Sequence, residues 1–561
     1  MEYAALVSVY ERLEATSGTH DKTDILAEAL ATAEEDTLGT LALLVRGKVF
    51  PNWDSTTLGV SSSLVTDAVV DATGVPADRI EDWWREAGDL GDAAAEAVRE
   101  KSQATLASRT LTVASVHETL EELAGYEGSG SQDRKVKTVA GLVGSADPAE
   151  ARWVVRTVLG AMRLGVGEGI LRDAIAQAFL DGAADADAVE RAYAVTNDAA
   201  LVAETASREG LQALEALDLR VFRPIKPMLA GKADSMADAV SDLADDDGVA
   251  LVETKYDGIR AKLHADGDGD VRMFTRRLED VTAQFPDVIE ATREAVAADR
   301  YILEAEVVGY DPETGEAVPF QELSRRIKRK RGVDAMAEEV PVTVHVFDCL
   351  LLGEDSLLAE PLRDRLDALD AVFDPIADRI ERADHRRTAD PEAAVSFYET
   401  VVASGHEGVM VKNLDASYQP GSRVGYQLKV KSTMEPLDLV VTRAKWSEGR
   451  KSDFLGRPYL ACRDPDSGAF LEVGRMHTGF TDAQLEAFTD LVEPLIESVD
   501  GREADLRPEV VLEVEYEEIQ SSPTYDSGYA LRFPRLSEIR TDLGPADADT
   551  IGTVERLYDE Q

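Results

Sequence analysis

The sequence predicts a multidomain chain of three parts: an all-α region, an α+β region with mixed sheets, and a small β-barrel. Three observations carry this expectation. Over residues 1–215, apolar residues recur at three- and four-residue steps, as in DILAEALATAEEDTLGTLALLVRG and AEARWVVRTVLGAMRLGV, while extended alternating runs are scarce. The pattern breaks at LRVFRPIKPMLAG, where Pro224 and Pro227 cannot sit inside a continuing helix. From Leu437 onward short strands recur with turn signals between them, a pattern that suits a small barrel.

Taken in order, the first region is cut into separate helices by glycine and acidic breaks such as YEGSGSQD. In the second, GVALVETK, VRMFTRR, YILEAEVVGY, PVTVHVFDCLLL, EGVMVK and YQLKVK read as strands. RDRLDALDAVFD and DPEAAVSFYETVVASG read as helices between them, and ADDDG at 244–248 as a solvated loop. The third region contributes LDLVVTRAKW, FLEVGRMHTGF and EVVLEVEYEEIQ. These features divide the chain into 1–217, 218–434 and 435–561, in line with the three to four domains that 561 residues suggest.

Apolar residues make up 44% of the chain, which excludes intrinsic disorder. The net charge is −49, with the acids spread along the whole length rather than gathered in a tail. Only 16 of the 59 basic residues are lysine. An acidic, lysine-poor, arginine-retaining surface fits a halophilic protein, because salt near ~1 M shrinks the Debye length to about 3 Å and screens the self-repulsion. Two cysteines, Cys349 and Cys462, cannot build a four-cysteine zinc site or a disulfide framework, and Cys349 reads as a core residue. No apolar run is long enough to span a membrane, and the first residues lack a basic-then-apolar signal pattern, so the expectation is a soluble, cytoplasmic protein. It is separately expected to be a monomer.

So acidic a chain would normally repel nucleic acid, yet binding depends on local charge. Residues 321–331 hold six basic residues and one acid, and residues 421–451 hold seven basic and three acidic. Eleven of the 16 lysines fall between Lys226 and Lys451. On a surface that sheds lysine, this concentration points to function.

Lys255 ends the strand-like LVETK, and Asp257-Gly258 favours a turn after it. Glu253, two residues earlier, shares its face. Burial and nearby cations would make such an amine available as a nucleophile, whereas an edge lysine salt-bridged to Asp257 would be merely structural. Glu304 and Glu306 share one face of a strand, either holding a cation or sugar hydroxyl between them or lying on a solvated edge. Phe347 sits in an apolar strand, where core packing and base stacking are both open. Glu407 shares its face with Val409 and Val411, while Lys412 points the other way. Lys429 and Lys431 share a face and together call for an anion such as phosphate.

KYDGIR, TRR, ILEAEVVG, HVFDCLL, EGVMVK and LKVK stand in the order of the motifs of the covalent nucleotidyltransferases. The chain most resembles the replicative ATP-dependent DNA ligases of archaea and eukaryotes, from MRLGVGEGILRDAIAQAF in the helical part to YALRFPR and GPADADT near the end. The resemblance implies a helical DNA-binding domain, an adenylation domain and an OB-fold domain. It implies that Lys255 becomes adenylated, that Glu253 reads the adenine amino group, and that Arg260 and Arg276 lie near ribose and phosphates. It places Glu306 on ribose or metal, Phe347 on the adenine face and Glu407 beside the metal. Arg423, Lys429 and Lys431 would contact phosphate, and Arg532 and Arg535 would orient the leaving pyrophosphate. The implied cofactors are ATP and Mg²⁺ or Mn²⁺, and the implied partner is nicked duplex DNA.

RNA-joining and capping enzymes use the same lysine chemistry but generally lack such a helical domain, and a non-catalytic clamp would show gaps in the motif set. The sliding-clamp motif of replicative ligases is incomplete, since KSQATLASRT has Gln103 and Leu106 but no aromatic pair. Clamp binding is therefore expected to be absent or to use another surface. The missing four-cysteine cluster argues against NAD-dependent ligases.

Overall fold

The computed structural model describes residues 1–100, 110–233, 235–311, 314–315, 317–318, 320–329, 331–431, 435–447, 454–465, 467–477 and 480–559, without the side chains of 183, 321 and 431. Gln103, Leu106 and Lys330 lie outside the described residues, as does the side chain of Lys431. The chain divides into two units, Met1–Val430 and Lys431–Gln561.

Helices fill the first region, from Tyr3–Ala15 to Leu211–Glu215. Their ends follow local chemistry. Asp147 and Glu150 form a reciprocal capping box with Pro148 at the first helical position, and Thr112 and Ser115 form another. The fully buried Trp153 packs on Tyr10, ring centroids 4.8 Å apart. Arg156, 4% exposed, ties three helices by meeting Glu14 at 2.7 Å and Asp89 at 3.1 Å. A buried guanidinium needs such company, since an unpaired charge there would be strongly destabilising.

The proline-bounded segment after this region is held on both sides. Trp53 Nε1 donates to Asp198 at 3.0 Å, and the Arg223 guanidinium lies 4.7 Å from the Trp53 ring. Asn197, in the left-handed region at φ 52°, donates from Nδ2 to the Pro224 carbonyl at 3.3 Å. Lys226 pairs with Glu168 at 2.6 Å. Val195 of the last helices shares a buried cluster with Leu219, Ile225, Met228, Ile302 and Leu350.

The α+β region contains two sheets. One runs Gly231–Lys232 (β1), Gln427–Lys431 (β11), Gly408–Asn413 (β10), Ala250–Lys255 (β2) and His385–Thr388 (β9). The other runs Val271–Thr275 (β4), Ile259–Asp266 (β3), Arg300–Gly309 (β5), Val342–Leu352 (β6) and Asp355–Ser356 (β7), with Ile380–Arg382 (β8) parallel to β6. The tight β2–β3 turn at Asp257-Gly258 crosses from one sheet to the other, so groups from both sheets meet around Lys255. Gly258 is required there, because a Cβ would collide with the Val307 carbonyl.

The Lys431–Gln561 unit is strand-rich and OB-like. Leu437–Trp446 (β12) pairs Leu455–Arg463 (β13) on one side, and β13 pairs Phe470–Arg475 (β14). On its other side β12 pairs Glu503–Leu506 (β16) through Arg443–Lys445 and Val511–Glu515 (β17) through Leu437–Val440. Ile496–Asp500 (β15) continues from β16, and Arg535–Arg540 (β20) from β17. A bulge between Val441 and Arg443 bends β12 where it changes partner. Glu518–Ser521 (β18) and Tyr529–Arg532 (β19) form a hairpin, and the helix Asp482–Val492 inserts Phe488 into the core.

Candidate active site

β2 and β10 run antiparallel, with Gly408 opposite Lys255, Met410 opposite Glu253 and Lys412 opposite Leu251. A period of two puts Glu253, Lys255, Met410 and Lys412 on one face. The Lys255 ammonium, 21% exposed, forms an ion pair with Glu407. Asp257, the sequence's alternative partner for Lys255, accepts at its Oδ2 from the Phe320 amide at 3.4 Å. Glu407 precedes β10, so strand alternation does not govern it. The expectation that Lys412 points away from the site is corrected here. Lys412 Nζ meets Glu253 Oε1 at 2.5 Å, both groups buried, and lies 4.5 Å from the Phe347 ring centroid.

β3 and β5 pair with Arg260 opposite Glu306 and Lys262 opposite Glu304. Glu304 is fully buried, accepts from Arg260 Nη2 at 2.8 Å and forms an ion pair with Lys262 Nζ at 2.6 Å. Burial alone would raise its pKa, but the two cations hold it down at about 2. Glu304 therefore does not share a cation with Glu306, since chain cations already neutralise it. Glu306 behaves differently: burial pushes its pKa up to about 7 against the pull of Lys255 and Arg260. The same interaction places Glu306 within electrostatic reach of the Lys255 ammonium.

Arg260, Glu304, Phe347 and Lys412 line a cleft of about 300 Å³, open mouth included, together with Met228, Tyr418 and Gln427. The Met228 carbonyl accepts from Arg260 Nη1 at 3.1 Å and Gln427 Nε2 at 3.0 Å. Phe347 is half-buried rather than a core residue, with the Arg260 guanidinium 5.5 Å from its ring. In the lining of the same cleft Asp348 holds Arg365 at 2.8 and 3.0 Å, both buried. Beside Lys255, Tyr256 stacks on His345 with centroids 3.9 Å apart. Burial drives the His345 pKa down to about 4, so the ring is neutral and stacks without a desolvated charge.

Lys429 lies on β11 opposite Lys232, half-buried, while Arg276 and Arg423 project exposed from turns after β4 and before β11. Arg532 and Arg535 belong to the other unit. Arg532 pairs with Glu518 at 2.7 Å, and Arg535 is exposed at the start of β20. The structure thus gathers Glu253, Lys255, Arg260, Glu306, Phe347 and Glu407. It adds Lys262 and Lys412, which the sequence reading did not place in the site, and gives Glu304, read there as a possible cation or sugar ligand, the role of counterion to Arg260 and Lys262. The scarcity of lysine was the one signal that could have found Lys262 and Lys412. Among the described residues no three His, Cys, Asp or Glu side chains assemble into a metal site, and no helix is long and apolar enough to cross a membrane. Cys349 is buried in β6, as expected.

Three consecutive segments match known domain families, which sets the class of the protein. Residues 2–176 match the DNA ligase N terminus, 227–431 the ATP dependent DNA ligase domain and 451–543 the ATP dependent DNA ligase C terminal region. The DNA ligase of Thermococcus fumicolans is 42% identical over 558 residues, covering all of this chain and 98% of the relative. The DNA ligase of Haloferax volcanii is 43% identical over 595 residues, covering the whole of both. The solved structure titled Pmar-Lig_PreS3 shares the fold, with a TM-score of 0.56 at 17% identity over 95% of this chain and 99% of that one. The chain belongs to the ATP-dependent DNA ligases.

Proposed function

We propose that this chain seals nicks in duplex DNA through an adenylated Lys255. The observation that carries the reading is Lys255 itself: a partly exposed amine at a strand end, paired with Glu407, within reach of Glu306, and next to a cleft lined by cations and Phe347. Partial burial lowers the cost of losing its charge. The amine attacks the ATP α-phosphorus, an N–P bond forms, and the P–O bond to pyrophosphate breaks. AMP then passes from nitrogen to the 5′-phosphate at the nick. The 3′-hydroxyl attacks that phosphate, and AMP leaves.

Adenine would stack on Phe347, with Glu253 reading its amino group and Lys412 fixing the Glu253 carboxylate. Arg260, Arg276, Arg423, Lys429 and Lys431 would hold ribose and phosphates, and Arg532 and Arg535 would orient pyrophosphate. Such transfer relies on charge neutralisation and in-line geometry more than on proton chemistry. Glu306 and Glu407 suit a hard cation, since Mg²⁺ is typically held by one or two carboxylates plus substrate phosphates. When bound, Mg²⁺ or Mn²⁺ would neutralise charge on the leaving pyrophosphate. In this reading 1–217 grips DNA, 218–434 carries adenylation and 435–561 is the OB-fold domain, in a monomeric, cytoplasmic, salt-adapted enzyme.

The test is incubation with α-labelled ATP or GTP and Mg²⁺ at high and low salt, followed by a denaturing gel. The protein should take AMP label, lose it on addition of nicked DNA, and fail to label as Lys255→Ala. Label from GTP alone would indicate capping chemistry, and no label at any salt concentration would refute the reading.

A further inference from the structure

The adenylation chemistry leaves the basic run 325–331 unused, and the structure sorts its members. Arg326 turns inward at 1% exposure. It meets Asp287 at 2.6 and 3.0 Å, donates to the Val340 and Gln284 carbonyls at 3.1 and 3.3 Å, and lies 4.4 Å from the Phe285 ring centroid. Arg325 is neutralised by Glu322 at 2.7 Å and Glu339 at 3.2 Å. Lys328, Arg329 and Arg331, which follow the helix Phe320–Ile327, are exposed, and none makes an ion pair among the described residues.

Acids outnumber bases 108 to 59, so an exposed cation has carboxylates to choose from. Several exposed arginines elsewhere take them, as Arg12 takes Glu28 and Arg79 takes Glu100. Three neighbouring cations without one repel each other, and that repulsion is relieved by an anion from outside the chain. The buried Arg326 pairs with the half-buried Asp287, which ties this helix end to the helix Pro286–Ala295. A row of regularly spaced negative charges is what a duplex backbone offers, one per ≈ 1.7 Å of helix axis.

We propose that Lys328, Arg329 and Arg331 form a contact surface for the phosphodiester backbone of the duplex being sealed. The proposal rests on the sealing reading and extends it to a surface outside the nucleotide cleft. These residues position the duplex; they read no bases and take no part in Lys255 adenylation.

The test uses the full chain and a fluorescent nicked duplex with a 3′-deoxy end, which binds but cannot be sealed. Affinity is measured across a series of KCl concentrations for the parent and for Lys328→Ser/Arg329→Ser/Arg331→Ser. Three lost phosphate contacts should make the slope of log K against log salt shallower by about 2 to 3, and weaken binding on the order of tenfold at the lowest salt used. Labelling of Lys255 by ATP should be unchanged, and Arg325→Ser should keep the parental slope. If the triple variant unfolds, Arg329→Glu alone should flatten the slope by about 1. An unchanged slope in a variant that still labels overturns the surface and leaves the sealing reading intact. So does an equal loss in Arg325→Ser. A parent that takes no label overturns the sealing reading and the surface with it.

Discussion

Replacing Glu304 by Gln tests the electrostatic core of the cleft. The carboxylate is fully buried, with Arg260 at 2.8 Å and Lys262 at 2.6 Å. Gln keeps the shape and one acceptor but removes the charge, leaving two cations facing a neutral amide. The parental group sits at about 2 against an ordinary 4.5, and at 1.36 kcal/mol per decade that gap is worth about 3 kcal/mol of folding stability. Because the folded value is the depressed one, this contribution is fully present above pH 4.5 and is lost as pH falls from 4.5 towards 2. Glu304→Gln should therefore be about 3 kcal/mol less stable near neutrality, with the deficit narrowing through that window. A loss of this size is tolerable for a domain of ordinary stability, about 5–15 kcal/mol, so the variant should still fold. Urea unfolding in molar KCl, followed by tryptophan fluorescence from pH 7 downward, measures it. The same preparations report how much ATP half-saturates Lys255 labelling, which should rise as Arg260 loses its anchor. A deficit below about 1 kcal/mol, or one that stays constant as the solution is acidified, would refute the assignment of Glu304 as the counterion of both cations.

Three other outcomes follow from the same geometry. Phe347→Ala should raise the ATP concentration that half-saturates labelling by roughly tenfold or more, since a base–aromatic stack contributes about 1–3 kcal/mol, while labelling at saturation persists. Asp348→Ala leaves Arg365 buried without its counter-charge and should cost about 3–5 kcal/mol in denaturant unfolding; a cost under 1 kcal/mol would mean the pair is dispensable. Sealing should tolerate or require salt near ~1 M, where acidic self-repulsion is screened, and a rate highest in dilute buffer would count against the salt-adapted surface without touching the chemistry.

How much of this was legible in the sequence depends on how local each feature is. Strand alternation sufficed to put Glu253 beside Lys255 on one face, and the proline pair marked the end of the helical region, because both are properties of a few consecutive residues. Lys412 was misplaced because its role depends on the β2–β10 register, a pairing across 159 positions that no local pattern encodes. The Glu304–Glu306 pair misled for the same reason. Two carboxylates on one face suggested a shared cation, but the β3–β5 register sets Lys262 opposite Glu304 and Arg260 opposite Glu306. The basic run 325–331 looked uniform in sequence, whereas helical geometry turned Arg326 inward and left Arg325 beside acids. Charge counts give the net charge of a segment, but its packing decides which members reach solvent.

The lysines show why composition still carried information where pattern failed. On this surface arginine does most of the ordinary pairing, so the lysines that remain need a reason that a guanidinium would not satisfy. Lys262 and Lys412 each place a compact ammonium against a buried glutamate, and Lys412 also packs on the face of Phe347. A planar five-donor fork in either place would carry buried donors to satisfy beyond the one carboxylate. Lys255 has a stronger reason, since an amine can lose its proton and become a nucleophile and a guanidinium in a protein does not. A lysine-poor composition therefore acts as a filter. It thins out the lysines whose charge alone mattered and leaves those whose size or reactivity is needed, as at Lys255, Lys262 and Lys412.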